Sequence, residues 1–169
     1  IKGACPDAEE YGIKERFSNK TAVAPTASIS IICGGASPGI EPIAANVFSH
    51  KTLSGTFTVR NTHLKRLLAE KGQDNDEVWI SILNNRGSVQ HLDFLSDHEK
   101  DVFKTAIELD QRWLIDLAAD RIEMIDQAQS LNVFVPADSD KKYIHDIHYS
   151  AWKKGVKSLY YCRSQSIQR

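Results

Sequence analysis

Residues 130–161 read SLNVFVPADSDKKYIHDIHYSAWKKGVKSLYY. The apolar run of Leu131, Val133 and Phe134 is stopped by Pro136, which fixes φ and removes a backbone donor. Ser130–Val135 is therefore a short strand candidate. Ser139 is placed to cap a helix carrying Ile144, Ile147, His148, Ala151 and Trp152, with Gly155 as its stop. Val156–Tyr161 follows as a compact strand. A strand, a helix of this length and a second strand predict parallel neighbours joined by a right-handed crossover. This stretch puts the chain in the α/β class.

Working upstream, Asp110–Ala128 is the longest helix candidate. Trp113, Leu114, Leu117, Ala118, Ile122 and Ile125 form one stripe along it at helical spacing. Ser96 with Glu99 three residues on makes a capping box ahead of Val102 and Phe103. Asp76–Arg86 carries Val78, Trp79, Ile82 and Leu83 on one face and ends at Gly87. Asn61 can cap a helix running through Leu64, Leu67 and Leu68 to Gly72. Lys51–Arg60 alternates and is rich in Thr, Phe and Val, so it reads as one strand weakened inside by Gly55. Thr21–Pro42 is small and apolar, punctuated by Gly34, Gly35, Pro38, Gly39 and Pro42. Within it, Ser28 and Ser30 alternate with Ile29 and Ile31, a strand-like period. Asp7–Ser18 is charged and reads as a solvated connector.

Composition narrows the function classes. A chain of 169 residues supports one domain, residues 1–169, with a real core. A formal net charge of -1 argues against a general nucleic-acid binder. No apolar run is long enough to span a bilayer, and no signal peptide is expected. Cys5, Cys33 and Cys162 are widely spaced and form no CxxC pair. Neither a disulfide framework nor a zinc site is indicated, and a reducing, cytoplasmic compartment is expected. The chain opens on Ile1 and closes on a polar stretch, Ser164–Arg169, so both ends are expected to be cuts through a longer protein.

Several groups could carry chemistry. Ala24-Pro25-Thr26-Ala27-Ser28-Ile29-Ser30 offers hydroxyls and small residues that let an anion approach backbone N–H groups. By composition alone, a buried strand with two solvent-facing serines is the commoner outcome. Tyr160 and Tyr161 are adjacent, and in a strand they would point to opposite faces, one to core and one to surface. His145 and His148 lie one turn apart, but no third metal ligand is placed with them, so surface or interface histidines are the plainer reading. Lys153, Lys154, Lys157, Arg163 and Arg169 gather late in the chain. They could attract phosphates or an acidic tail, or simply solvate a helix end. Each cysteine could be reactive or merely buried.

In order along the chain, the segments resemble one family, the large subunit of class I ribonucleotide reductases. Ala24–Ser28 followed by Gly39-Ile40-Glu41-Pro42 resembles that family's substrate-phosphate loop and the turn after it. Lys51–Phe57 resembles its next strand, and Gly87-Ser88-Val89-Gln90-His91-Leu92 its middle connector. Asp126–Asn132 resembles the stretch entering a late barrel strand, and Ala151–Tyr161 the end of the catalytic barrel. The similarity covers nearly the whole chain.

The resemblance implies the C-terminal segment of a ten-stranded α/β barrel, incomplete in this chain. It places Thr26 at a helix start, against the strand-like period. It implies radical-based reduction of ribonucleotides at the 2′ carbon. Pro25, Thr26, Ala27, Ser28 and Ile29 would bind the substrate, and Tyr160 and Tyr161 would relay the radical. A phenol suits that role because it can give up an electron and a proton together. No metal or cofactor is expected on this segment, since the radical would come from a metal-containing small subunit. Further expected partners are the remainder of the large subunit and a thioredoxin or glutaredoxin reductant. Cys5, Cys33 and Cys162 do not match the radical cysteine or the reducing pair. Those residues and the nucleotide-sensing domain are expected upstream, and the cysteine-bearing tail downstream, so the segment alone is expected to be inactive. The rival expectation is a non-catalytic barrel fragment that binds nucleotide or protein.

Overall fold

The computed structural model describes residues 19–34, 36–53 and 55–164. The connector at Asp7–Ser18, Cys5 and Arg169 lie outside the described residues. In chain order the elements are α1 (Ala27–Ile32), β1 (Val47–Thr52), β2 (Gly55–Arg60), α2 (Thr62–Glu70), α3 (Asp76–Asn84) and α4 (Asp97–Val102). After them come a 3-10 turn (Ala106–Glu108), α5 (Gln111–Asp120), a second 3-10 turn (Ile122–Met124), β3 (Val133–Val135), α6 (Lys141–Lys153) and β4 (Cys162–Ser164). Strands β1 and β2 pair antiparallel, whereas β3 and β4 pair parallel across α6. The described strands form two two-stranded sheets and no closed barrel.

Two apolar clusters hold these pieces. The first joins Leu114, Ile115 and Ala118 of α5 to Leu131, Val133 and Val135, and to Ile147 and Ala151 of α6. Burying such side chains is worth about 1.5–3 kcal/mol each, so α5 and α6 are pinned to β3. The second gathers Val47, Leu64, Leu68, Trp79, Ile82, Val89, Leu92 and Leu95. Asn46, almost fully buried beside the second cluster, donates from Nδ2 to the carbonyls of Gly87 and Phe103. Asn61 Nδ2 donates in turn to Asn46 Oδ1, so this buried amide is paired on both sides.

The capping residues act as the sequence predicts at two helices. Asn61 caps α2, Ser96 and Glu99 close a full capping box on α4, and Gly72 supplies a positive φ of 69° after α2. Elsewhere the local readings need correction. Ala27–Ile32 is helical, not strand, because the alternation is too short to compete with the turn signals around it. Lys51–Arg60 is not one strand: Lys51 and Thr52 end the first arm of a hairpin and Gly55–Arg60 is its second. Gly55 sits at φ 141° where β2 begins, rather than inside a strand. The helix from residue 110 stops at Asp120, and Ile125 is extended. Trp113 and Leu117 of the expected stripe are exposed, while Ile115 takes the core position. Asp140, not Ser139, caps α6, because its carboxylate accepts from the Lys142 N–H. The last strand lies at Cys162–Ser164, later than Val156–Tyr161, although Tyr160 N–H already donates to the Leu131 carbonyl. No described helix is long and apolar enough to cross a membrane.

Candidate functional site

The site begins with backbone pairing. Ser130 N–H donates to the Val23 carbonyl at 2.9 Å, and Gln127 N–H to the Thr21 carbonyl at 3.0 Å. Val23 thus runs parallel beside Gln129. The same strand path continues to Val133, whose N–H donates to the Tyr161 carbonyl at 2.9 Å. Residues 21–23 and 160–161 are therefore both tied to the 127–133 stretch. The loop that follows Val23 and the tandem tyrosines thus share this stretch as a common neighbour.

The result is one cleft of about 600 Å³, within the range of small-molecule sites. Pro25, Thr26, Ala27, Ser28 and Ile29 all line it, and so do Tyr160 and Tyr161. Ser37, Glu41, Asn132 and Arg163 add to its polar lining. All seven residues expected to form a site thus share one cavity.

Thr26 is the N-cap of α1, and its N–H donates to the Pro38 carbonyl at 3.1 Å. That bond folds the Pro38–Pro42 turn onto the loop. Helix geometry leaves the leading N–H groups of α1 without intrahelical acceptors. Ser28 is exposed to the cleft, whereas Ser30 is buried and its hydroxyl donates back to the Ala27 carbonyl at 2.8 Å. Of the two serines, only Ser28 lines the cleft.

The tyrosine rings lie 4.1 Å apart between centroids, inclined by 52°. Regular strand geometry would have sent them to opposite faces. They meet because the chain reaches strand conformation only at Cys162. The Tyr160 phenol is held above its ordinary pKa, first by its hydrogen bond with Tyr161, then by the charge of Tyr161 and by burial, with Arg163 opposing. The Arg163 guanidinium lies over the Tyr161 ring, 5.5 Å from its centroid. It brings a positive charge to the cleft wall.

The remaining candidates fall away from this cleft. His145 stacks on Tyr149 at 5.8 Å, and His148 Nδ1 contacts the Ile144 carbonyl at 2.8 Å. Among the described residues no three His, Cys, Asp or Glu side chains gather as a metal site. Lys154 pairs with Asp116 at 2.6 Å and Lys157 donates to the Asp126 carbonyl, so two lysines of the basic cluster are engaged internally. Cys33 and Cys162 are free and exposed, and neither lines the cleft. A second depression of about 720 Å³ is lined by His63, Arg66, His98 and Lys104 among others. Its buried polar residue, Asn46, is already satisfied.

Sequence reasoning assigned no role to Glu41 and Asn132, though both fall within segments that it singled out. Glu41 is 4% exposed, and Asn132 Nδ2 donates to its Oε1. The available signal was an acidic residue inside an otherwise small and apolar stretch, Gly39–Ala45.

Residues 4–162 match the family described as ribonucleotide reductase, barrel domain. The chain is 47% identical over 171 residues to a protein of Invertebrate iridescent virus 6 named ribonucleoside-diphosphate reductase large subunit. That alignment covers 99% of this chain and 18% of the viral protein. A protein of the same name from Invertebrate iridescent virus 3 is 48% identical, over 99% of this chain and 27% of its own length. Among solved structures, the class Id ribonucleotide reductase alpha subunit of Actinobacillus ureae superposes with a TM-score of 0.78 at 40% identity. It covers 94% of this chain and 28% of that subunit. The chain thus spans between about a fifth and about a quarter of the curated relatives it matches. A family match over residues 4–162 and a shared backbone at this identity make the conclusion plain: the chain belongs to the ribonucleotide reductase barrel-domain family.

Proposed function

We propose that this chain supplies the substrate-phosphate loop and the tyrosine radical relay of a ribonucleoside-diphosphate reductase large subunit. One observation carries the reading: Pro25–Ile29 and the contacting Tyr160–Tyr161 pair line a single cleft. The loop binds the anionic end of a ribonucleotide through backbone N–H groups and the Ser28 hydroxyl, which suit a phosphate in both charge and geometry. The tyrosines hand an electron inward in steps short enough for ring contact, each phenol passing its proton as its electron leaves. The raised pKa of Tyr160 keeps that proton on the phenol until oxidation.

In this reading the chain is the C-terminal portion of the α/β barrel, one segment over residues 1–169, and the rest of the large subunit closes the barrel around it. It binds no cofactor or metal of its own. The radical arrives from a metal-containing small subunit, and thioredoxin or glutaredoxin re-reduces the complete enzyme. Reduction of the 2′ carbon requires thiols at the cleft. Among the described residues neither Cys33 nor Cys162 stands there, which supports the reading that the thiols come from the rest of the large subunit.

The loop half of the proposal is tested by equilibrium binding of a ribonucleoside diphosphate to a complete large subunit that carries this segment. Ser28→Ala should weaken binding by about 1–2 kcal/mol, the cost of one hydrogen bond to a charged group. An unchanged dissociation constant would remove the loop from the site. Binding without any reduction when all subunits are present would favour the non-catalytic alternative.

A further inference from the structure

Glu41 and Asn132 stand 91 residues apart in sequence and meet side chain to side chain, Asn132 Nδ2 donating to Glu41 Oε1. Glu41 belongs to the turn folded onto the phosphate loop, where Ser37 Oγ donates to its carbonyl. Asn132 lies between Leu131 and Val133, whose backbone bonds hold Tyr160 and Tyr161. The contact therefore bridges the two halves of the cleft directly. Its carboxylate packs over Gly39, where a Cβ would come within 2.8 Å of Oε1 and Oε2. Gly39 is thus the residue that leaves room for the bridge.

Two buried side-chain oxygens have no hydrogen-bond partner among the described residues, and they belong to this same pair: Glu41 Oε2 and Asn132 Oδ1. A buried acceptor without a donor is costly, and two at one contact require a reason. Both atoms are shielded from solvent even though the residues line the cleft. A ligand in the cleft therefore does not reach them, which argues against direct substrate contact. We propose that Glu41 and Asn132 are positioning residues, a latch that sets the phosphate loop at a fixed distance from the tyrosine pair. The inference rests on the proposed roles of that loop and that pair. Small displacements between a bound reactant and the groups that act on it are expensive in rate and affinity, so a single side-chain bridge at this point has leverage on both.

The test exploits the missing donor. In Glu41→Gln the new amide can accept from Asn132 Nδ2 and donate to Asn132 Oδ1, completing the pair. Asn132→Asp instead sets two carboxylates against each other. Glu41→Gln with Asn132→Asp restores an acid–amide pair with the roles exchanged. Both substitutions are nearly isosteric, so all three variants should fold. In a complete large subunit assayed with its small subunit, Asn132→Asp should raise KM for the ribonucleotide about tenfold. Glu41→Gln should stay within about twofold of wild type, and the double variant should return toward it. A purely structural defect would lower the active fraction, and so kcat, while leaving KM alone. Glu41→Gln as impaired as Asn132→Asp, or a double variant no better than Asn132→Asp, overturns the latch. Ser28→Ala in the same assay separates the two ideas: if it leaves KM unchanged, the loop assignment fails. If it raises KM while Asn132→Asp does not, the latch alone fails.

Discussion

The Tyr160 phenol shows how one side chain takes its character from its immediate neighbour. Its pKa is raised chiefly by the hydrogen bond with Tyr161 and opposed by Arg163. A raised value means that the neutral phenol is the favoured form in the fold, and the contribution is lost as pH rises through the folded value. Spectroscopic titration of Tyr161→Phe should therefore show the Tyr160 phenolate appearing at lower pH than in the parent. An unshifted titration would mean that the two phenols are not bonded. Strand alternation sent the adjacent rings apart; only the family resemblance paired them, and the irregular backbone before Cys162 brings them together. Gly87 was legible as a stop, but its full constraint was not. It adopts φ 81°, and a Cβ there would approach Ala45 Cβ to 2.4 Å and Asn46 N to 2.9 Å. Gly87→Ala should cost about 2–4 kcal/mol, combining backbone strain with overpacking, seen as a lower denaturation midpoint. An unchanged midpoint would show that the close approach to Ala45 and Asn46 relaxes freely.

Element-scale signals were reliable where a side chain satisfies backbone groups locally. Asn61 accepts from the N–H groups of His63 and Leu64, and Ser96 with Glu99 closes its box, both within three residues. Such bonds depend on neighbours in sequence, so sequence reveals them. Ser96→Ala should cost about 1 kcal/mol, read as faster amide exchange across Asp97–Val102 with exchange elsewhere unchanged. Equal exchange in the two proteins would show that packing, not the cap, holds α4. Signals that depend on distant partners were weaker. The end of α5 is set by Arg121 and Gln129, where Arg121 Nε donates to Gln129 Oε1 and Gln129 Nε2 to the Ala118 carbonyl. That arrangement turns the chain at Asp120, while the apolar stripe would have carried it onward. The exposure of Trp113 and Leu117 has the same origin, since only one face of α5 meets β3 and α6.

At the scale of the whole molecule, the parallel pairing of β3 and β4 across α6 follows the reading of residues 130–161, shifted by a few positions. The hairpin and the two separate cores do not, because alternation hides that the chain folds back so that Thr52 pairs with Gly55. From the residues alone the cleft was legible as two motifs, and only the family resemblance joined them in one place. Its unity comes from residues 21–23 and 160–161 sharing the 127–133 stretch as a common neighbour. The central claim is that nucleotide grip and radical transfer meet in that cleft. It is tested most directly by Tyr160→Phe in a complete large subunit assembled with its small subunit, measuring ribonucleotide reduction and nucleotide binding together. The account predicts loss of turnover with the dissociation constant unchanged, since phenylalanine keeps the ring but has no phenolic proton to release. Full turnover by Tyr160→Phe would contradict it.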